Sequence, residues 1–361
     1  MRRISMKYAR PGMILGYPVF DPYGEKLLDT GVRLDEHNLK TLARMKISEL
    51  FIQDNRVSDI VALPIIPPEI EGRASAALRQ LMIETRIRGR LTIEGIRNIS
   101  SVVNAMIEHL SFSPMGEPSV AGILSRKDFI YVQPVKTAIL SLIVAHKLKW
   151  DKSQLASLGI AAMLKDIGYA ELPEEILHKP GELTKDDLAR IREHPTRGHK
   201  LLQQFNGKTT TVATAIMQHH ERWNGSGYPL GLRGTRISPL AQLLAIADSY
   251  TELISVSPGK NKIYMPHEAI EFIMAFSGEY FNPQLVDAFV RQIPCYPAGL
   301  TVELNTKEVG IISDSRCGFI GRPVVRICYR PGEGILEKPY DVDLSKPEFQ
   351  SKFVVKILDY F

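Results

Sequence analysis

Cysteine is scarce in this chain. Three stand among 361 residues, Cys295, Cys317 and Cys328, in no CxxC spacing. So sparse and odd a set excludes a disulfide framework and fits a reducing, cytoplasmic setting. Charge of one sign is also lacking: 45 basic against 40 acidic residues leaves a net +5. That is too mild to argue for a nucleic-acid polymer as partner unless it is concentrated in one patch. Long apolar runs are missing as well. The most apolar, Ala138 to Ala145, falls far short of the ~20 residues a membrane span needs. No apolar segment follows Met1-Arg2-Arg3, so no signal peptide is read. Internal repeats and low-complexity tracts are absent. What is present is ordinary for a soluble globular protein, 44% apolar and 24% charged, and long enough for two or three domains.

Residues 1–62 alternate short apolar runs with turn residues. Gly12 to Phe20 reads as a strand, Asp21-Pro22-Tyr23-Gly24 as a turn, Asp35 to Met45 as a short helix and Ile47 to Gln53 as a closing strand. This is a small α+β module. Leu63-Pro64-Ile65-Ile66-Pro67-Pro68 reads as a linker stiffened by three prolines. A helical pattern runs from Ala74 to about Leu110, broken near Gly89 and Thr92, and fills the lead-in stretch 63–126. Residues 127–293 are mainly helical, with Gly and Pro at the breaks. Thr184, followed by Asp187 three positions later, marks a helix start. From 294 to 361 β-branched residues return, as in Val324 to Ile327 and Phe353 to Ile357, and read as a β-rich tail.

The chemistry concentrates between Lys165 and Asp248. His219 and His220 are adjacent, and neighbours on a helix point about 100° apart. Both reach one ion only near a helix end, and Gly225 and Gly227 end the helix soon afterwards. Taken alone, Gly225-Ser226-Gly227 is an ordinary flexible loop, and Tyr228-Pro229 stiffens it. Asp166 and Asp248 each end an apolar helical stretch. Buried carboxylates are costly without a partner, so a shared cation site reads better than two coincidences. Carboxylate and imidazole suit Fe, Mn, Zn or Ni without choosing among them.

The order of these residues resembles the HD-GYP domain, a bacterial family associated with metal-dependent hydrolysis of cyclic di-GMP. Leu164 to Gly168 matches the HD segment except at Lys165, where the family has His. Pro173, Ile176-Leu177, Lys179-Pro180-Gly181, His194-Pro195, Gly198, His219-His220-Glu221 through Gly227-Tyr228-Pro229, Gly231-Leu232, Gly234, Ile237 and Ala247-Asp248 match as well. The likeness covers about Lys127 to Pro297 and the flanking modules more loosely. It implies a mainly α fold: an HD-domain-like helical core with a small N-terminal α+β module and a β-rich C-terminal tail.

In the family, one metal is held by a first-helix His, the HD His, the HD Asp and a late Asp; a second is held by the HD Asp and three downstream His. Carried onto this chain, the second set is whole: Asp166, His194, His219 and His220. The first keeps only Asp166 and Asp248, because its leading His aligns with Gln133 and its HD His with Lys165. Other departures are Tyr169 for a lysine, Thr251 and Ile254, and Ser257 for an arginine. The resemblance thus implies about one divalent transition metal per chain, with Asp166 and Lys165 as catalytic candidates. Arg222, Gly225, Gly227, Tyr228, Pro229 and Lys260 would face a ligand, together with Arg233. Lys165 could take the place of the first ion, neutralising Asp166 and Asp248; the plainer alternative is an exposed lysine. With half of a two-metal clamp gone, hydrolysis should be weak or absent while binding persists. The main reading is a cytoplasmic signalling protein that binds cyclic di-GMP or a related cyclic dinucleotide. The first alternative is an active phosphodiesterase giving linear dinucleotide or GMP. The second is a catalytically silent module whose Gly-Tyr-Pro loop binds a partner such as a diguanylate cyclase. Oligomeric state stays open.

Overall fold

The computed structural model describes residues 1–21, 24–45, 47, 49–60, 65–112, 129–177, 179, 182–205, 210–255, 263–315 and 321–358. The chain divides into two compact units, and the first draws on both ends of the sequence, Met1–Gly72 and Ile293–Phe361.

In that first unit, β1 (Arg2–Ser5) belongs to a different sheet from β2 (Val19–Phe20) and β3 (Lys26–Leu28), which pair with each other. The expected strand from Gly12 to Phe20 is not continuous. Ile14 and Leu15 make only isolated bridges, to Arg33 and Ile52, before β2 begins. Gly12 turns the backbone at φ +92°, and Pro18 has no N–H to donate, so no ladder can run through both. Helix α1 (Glu36–Arg44) starts where the Asp35 carboxylate accepts from Asn38 N while the Asn38 side chain accepts from Asp35 N. Strand β4 (Glu49–Ile52) then returns antiparallel to β1. Ile4, Leu15, Val19, Leu34, Leu42, Leu50 and Ile52 close a small core. The C-terminal residues form one antiparallel sheet of β5 (Thr301–Leu304), β6 (Val309–Asp314), β7 (Val324–Arg330), β8 (Gly334–Asp343) and β9 (Val354–Leu358) in the order β8-β7-β6-β5-β9. Val57 and Ile60, just after β4, pack with Ile311 and Cys328 of that sheet. The two ends of the chain therefore share a core.

The second unit, Arg73–Pro114 with Ala121–Gln292, is helical. Helix α2 (Pro68–Arg88) leads into it, and α3 (Ile93–Phe112) follows after Gly89, whose φ of +64° suits a helix stop. Because α2 starts at Pro68, the last linker proline is already the first helical residue, a place that asks for no N–H; Leu63 and Pro64 lie outside the described residues. Next come α4 (Phe129–Lys147), α5 (Lys152–Leu164), α6 (Glu174–Leu177), α7 (Lys185–Ile191), α8 (His194–Gln203), α9 (Thr210–Gln218), α10 (Pro239–Leu253), α11 (Pro266–Ala275) and α12 (Pro283–Gln292). The start of α7 is a capping box: Thr184 Oγ1 accepts from Asp187 N and Asp187 accepts from Thr184 N.

Helix α4 is the axis of the unit, packed against α5 and α10. It is long and apolar enough to cross a membrane, which the run Ala138 to Ala145 alone did not suggest; 83% of its most apolar window is buried in the protein. It is a core helix by that measure. Leu158, Met163 and Leu164 of α5 and Leu243, Leu244 and Ile246 of α10 are also fully buried. Each such side chain contributes about 1.5–3 kcal/mol. That apolar mass surrounds the charged groups described next and offsets the cost of burying them.

Candidate metal centre

Helix ends bring most of the polar residues together. Lys165 caps the C-terminus of α5, and Asp166 begins the tight 3-10 turn Ile167–Glu171. His194 opens α8, while His219 and His220 follow the last residue of α9. The turn and the start of α8 touch at Gly168, where any Cβ would run into the His194 carbonyl. Asp248 ends the apolar run Leu243–Ala247 but not its helix, since α10 continues to Leu253. A helix packed on two sides can carry a carboxylate in mid-span only if that carboxylate is answered, as this one is.

The ligating nitrogens of His194, His219 and His220 all lie within 4.8 Å of one another. His194 Nδ1 is 2.6 Å from Ile191 O, and His219 Nδ1 is 2.6 Å from Ile216 O. A carbonyl only accepts, so each Nδ1 carries the proton and each Nε2 presents a lone pair. Those two Nε2 atoms face each other at 3.2 Å. Asp166 Oδ1 lies 3.3 Å from the first and 3.9 Å from the second. Burial holds the His194 pKa down to about 3, against the pull of Asp166, and lowers His219 and His220 too. Protonated imidazoles therefore do not relieve the crowding of lone pairs at neutral pH. The donor set fits a divalent transition metal: three neutral imidazoles, two fixed in tautomer by backbone carbonyls, and one carboxylate.

The other side of Asp166 is different. Lys165 is 2% exposed, and its Nζ donates to Asp166 Oδ2 and lies 2.8 Å from Asp248 Oδ1. It is no surface lysine. Burial works to discharge it, but the two carboxylates outweigh that and raise its pKa. Burial likewise works to raise the Asp248 pKa; Lys165 first, then His219 and the Gln133 amide, hold it down to about 2. Gln133 Nε2 donates to Asp248 Oδ1 at 2.6 Å and to Thr251 Oγ1 at 2.8 Å, and Thr137 Oγ1 meets Thr251 Oγ1 at 2.9 Å. On this side of Asp166 an ammonium and an amide answer the carboxylates.

The Gly225 to Pro229 loop borders the histidines. Tyr228 stacks on His220, ring centroids 4.8 Å apart at 20°, and its N–H donates to His220 O. Gly227 passes so close to Glu221 and Arg222 that a Cβ there would strike backbone. Gly225 turns at φ +85°. Buried Glu221 braces the loop's far end, accepting from Leu230 N at 2.6 Å and Leu232 N at 2.9 Å. Arg222 is engaged within the protein: it donates to Ser249 Oγ and lies 5.3 Å from both the Tyr280 and Phe281 ring centroids. Arg233 is exposed, and Lys260 and Ser257 lie outside the described residues.

An HD-domain family model matches residues 118–285. A cyclic di-GMP phosphodiesterase of Pseudomonas aeruginosa, PA4108, is 29% identical over 245 residues, 67% of this chain and 59% of that protein. Residues 118–285 thus carry an HD domain, and these likenesses support HD-GYP membership. The cyclic di-GMP phosphodiesterase response regulator RpfG of Xanthomonas campestris is 36% identical over 150 residues, 41% of this chain and 39% of its own length. A solved HDG"Y"P protein from Bdellovibrio bacteriovorus, Bd1817, aligns with TM-score 0.47 and 20% identity over 80% of this chain and 97% of that one. The chain thus spans 59% and 39% of the two curated relatives. Sequence reasoning named Tyr169 only as a departure from the family pattern and missed that its ring lies 4.5 Å from that of His194; it also missed the bracing role of Glu221. Only the motif position of Glu221, beside the paired histidines, could have signalled it.

Proposed function

We propose that this HD-GYP domain binds a cyclic dinucleotide, cyclic di-GMP in the first place, and hydrolyses it slowly with about one divalent transition metal per chain. The observation that carries the reading is the facing pair His194 Nε2 and His219 Nε2, 3.2 Å apart beside Asp166. When bound, a metal supplies Lewis-acid stabilisation of phosphate charge and activates water. The chain's own residues set the rest. Ile191 O and Ile216 O fix two imidazoles, and His220 adds a third donor. Asp166 turns Oδ1 to the histidines while Lys165 holds Oδ2, so the carboxylate cannot rotate away. Lys165 is cationic and has no lone pair, so it neither accepts a proton nor binds an ion. Its charge is divided between two carboxylates, leaving little for a departing alkoxide. Slow linearisation follows.

The similarity to proteins named cyclic di-GMP phosphodiesterases supports hydrolysis over binding alone. A receptor without turnover is the second reading, favoured by the sealing of Lys165 between Asp166 and Asp248. The sparse cysteines in no paired spacing, Cys295 and Cys328 among them buried, agree with a cytoplasmic setting. The test pairs elemental analysis of protein purified without chelator with chromatography of cyclic di-GMP products under added Mn or Fe. About one metal per chain with slowly accumulating linear dinucleotide is expected. Calorimetric binding without product would establish the receptor; neither binding nor product would end both readings.

A further inference from the structure

We infer that Arg192 receives the second phosphodiester of the bound cyclic dinucleotide, an inference that rests on the reading of this centre as a cyclic-dinucleotide site. Arg192 closes α7 two residues ahead of His194 and is exposed. Its guanidinium lies 5.5 Å from the Tyr228 ring centroid, and Tyr228 in turn stacks on His220. A cation is thereby held at the rim of the histidine cluster, two ring contacts from a candidate ligand.

The neighbouring cations are already engaged. Lys165 is shared by Asp166 and Asp248; Arg222 has Ser249 and two aromatic rings; Arg197 pairs with Glu193 and Glu171; Lys179 pairs with Asp187. Arg192 makes no ion pair among the described residues; its side-chain contact is the Tyr228 ring. A contact with an aromatic ring uses no hydrogen-bond acceptor, and the planar N–H fork of a guanidinium matches two phosphate oxygens.

The substrate supplies the need. A cyclic dinucleotide carries two phosphodiesters, each with one negative charge. When one sits at the histidine cluster, the other lies beyond it and must be answered from elsewhere, because the ammonium of Lys165 is already shared between Asp166 and Asp248. Arg192 is placed and uncommitted. It acts as a positioning residue: it takes no part in bond breaking and sets how tightly the ring is held.

The test compares wild-type, Arg192→Ala and Arg192→Lys proteins, all metal-loaded, by calorimetry with cyclic di-GMP and by turnover. A nucleoside p-nitrophenyl phosphodiester, which has only one phosphodiester, serves as the control ligand. Arg192→Ala should weaken cyclic di-GMP binding about tenfold, the loss of one charge-assisted contact. KM should rise with kcat, metal content and melting temperature unchanged, and Arg192→Lys should recover part of the loss. Binding of the single-phosphodiester probe should not change. If wild type binds and Arg192→Ala binds equally well, the inference fails and the proposed function stands. An equal loss for the single-phosphodiester probe would also overturn it, since Arg192 would then face the reacting phosphate. If wild type binds no cyclic dinucleotide, the proposed function fails and takes this inference with it.

Discussion

Asp166 divides the centre into two halves that answer the same charge in different ways. On its Oδ1 side stand three clustered imidazoles, two of which turn their lone pairs on each other, an arrangement the protein's own groups leave unbalanced. On its Oδ2 side Lys165, Asp248, Gln133 and Thr251 bond to one another without outside help. A buried carboxylate can be neutralised by an ion that comes and goes or by an ammonium tied to the backbone. The first brings chemistry and makes stability depend on metal supply. The second contributes stability permanently and excludes a second ion. One half of the centre is built to receive; the other is closed.

The sharpest way to break this contrast is to open the closed half. Lys165→His with Gln133→His replaces the ammonium and the amide by two imidazoles facing Asp248. Metal content should rise from about one to about two per chain, and cyclic di-GMP turnover should increase by roughly 100-fold, as restoring half of a two-metal clamp demands. If the content stays near one, the closure is set by more than these two side chains. Removing the cation without replacement is the next largest change. Lys165→Ala leaves Asp166 and Asp248 buried and facing each other, at a cost of about 3–5 kcal/mol, read by denaturant or thermal unfolding. An unchanged melting temperature would mean that water or a metal takes the ammonium's place, and the halves would be alike after all.

The open half responds to metal supply. Chelator should lower the melting temperature of wild type, the expected loss being about 2.7 kcal/mol for protein previously held at 100 times the dissociation constant. The same chelator should do nothing to His219→Ala, which lacks a donor from the start. A chelator response that survives in His219→Ala would place the ion elsewhere.

How much of this was legible beforehand follows from distance along the chain. The helix starting at Thr184, the break at Gly89 and the mainly helical fold are local matters of capping and periodicity, and the sequence carries them plainly. His219 and His220 at a helix end were legible for the same reason. Gly12 to Phe20 misled because alternating apolar residues outweighed Gly12 and Pro18 in the reading, whereas hydrogen bonding obeys the backbone first. Asp248 closes its apolar run, but what the sequence does not show is that α10 runs on past it, because Lys165 and Gln133 answer its charge from elsewhere in the fold. The shared core of Val57, Ile60, Ile311 and Cys328 joins residues some 250 positions apart, a pairing no local pattern announces. Arg192 went unremarked since an exposed arginine has no signature until Tyr228 is found beside it.

The smallest expected effect tests how the closed half shares its work. Gln133 is fully buried, and its Nε2 donates to both Asp248 and Thr251 while its Oε1 has no partner among the described residues. Gln133→Leu therefore has two opposing consequences. It removes a donor from Asp248, and it removes an acceptor whose desolvation nothing repays. The ammonium of Lys165 remains on Asp248 Oδ1, so no charge is stranded. The net cost should be about 1 kcal/mol, well below that of Lys165→Ala, with metal content in the histidine half unchanged. Should Gln133→Leu prove as damaging as Lys165→Ala, the amide rather than the ammonium would be what holds Asp248. The closed half would then owe its closure to hydrogen bonding and not to charge.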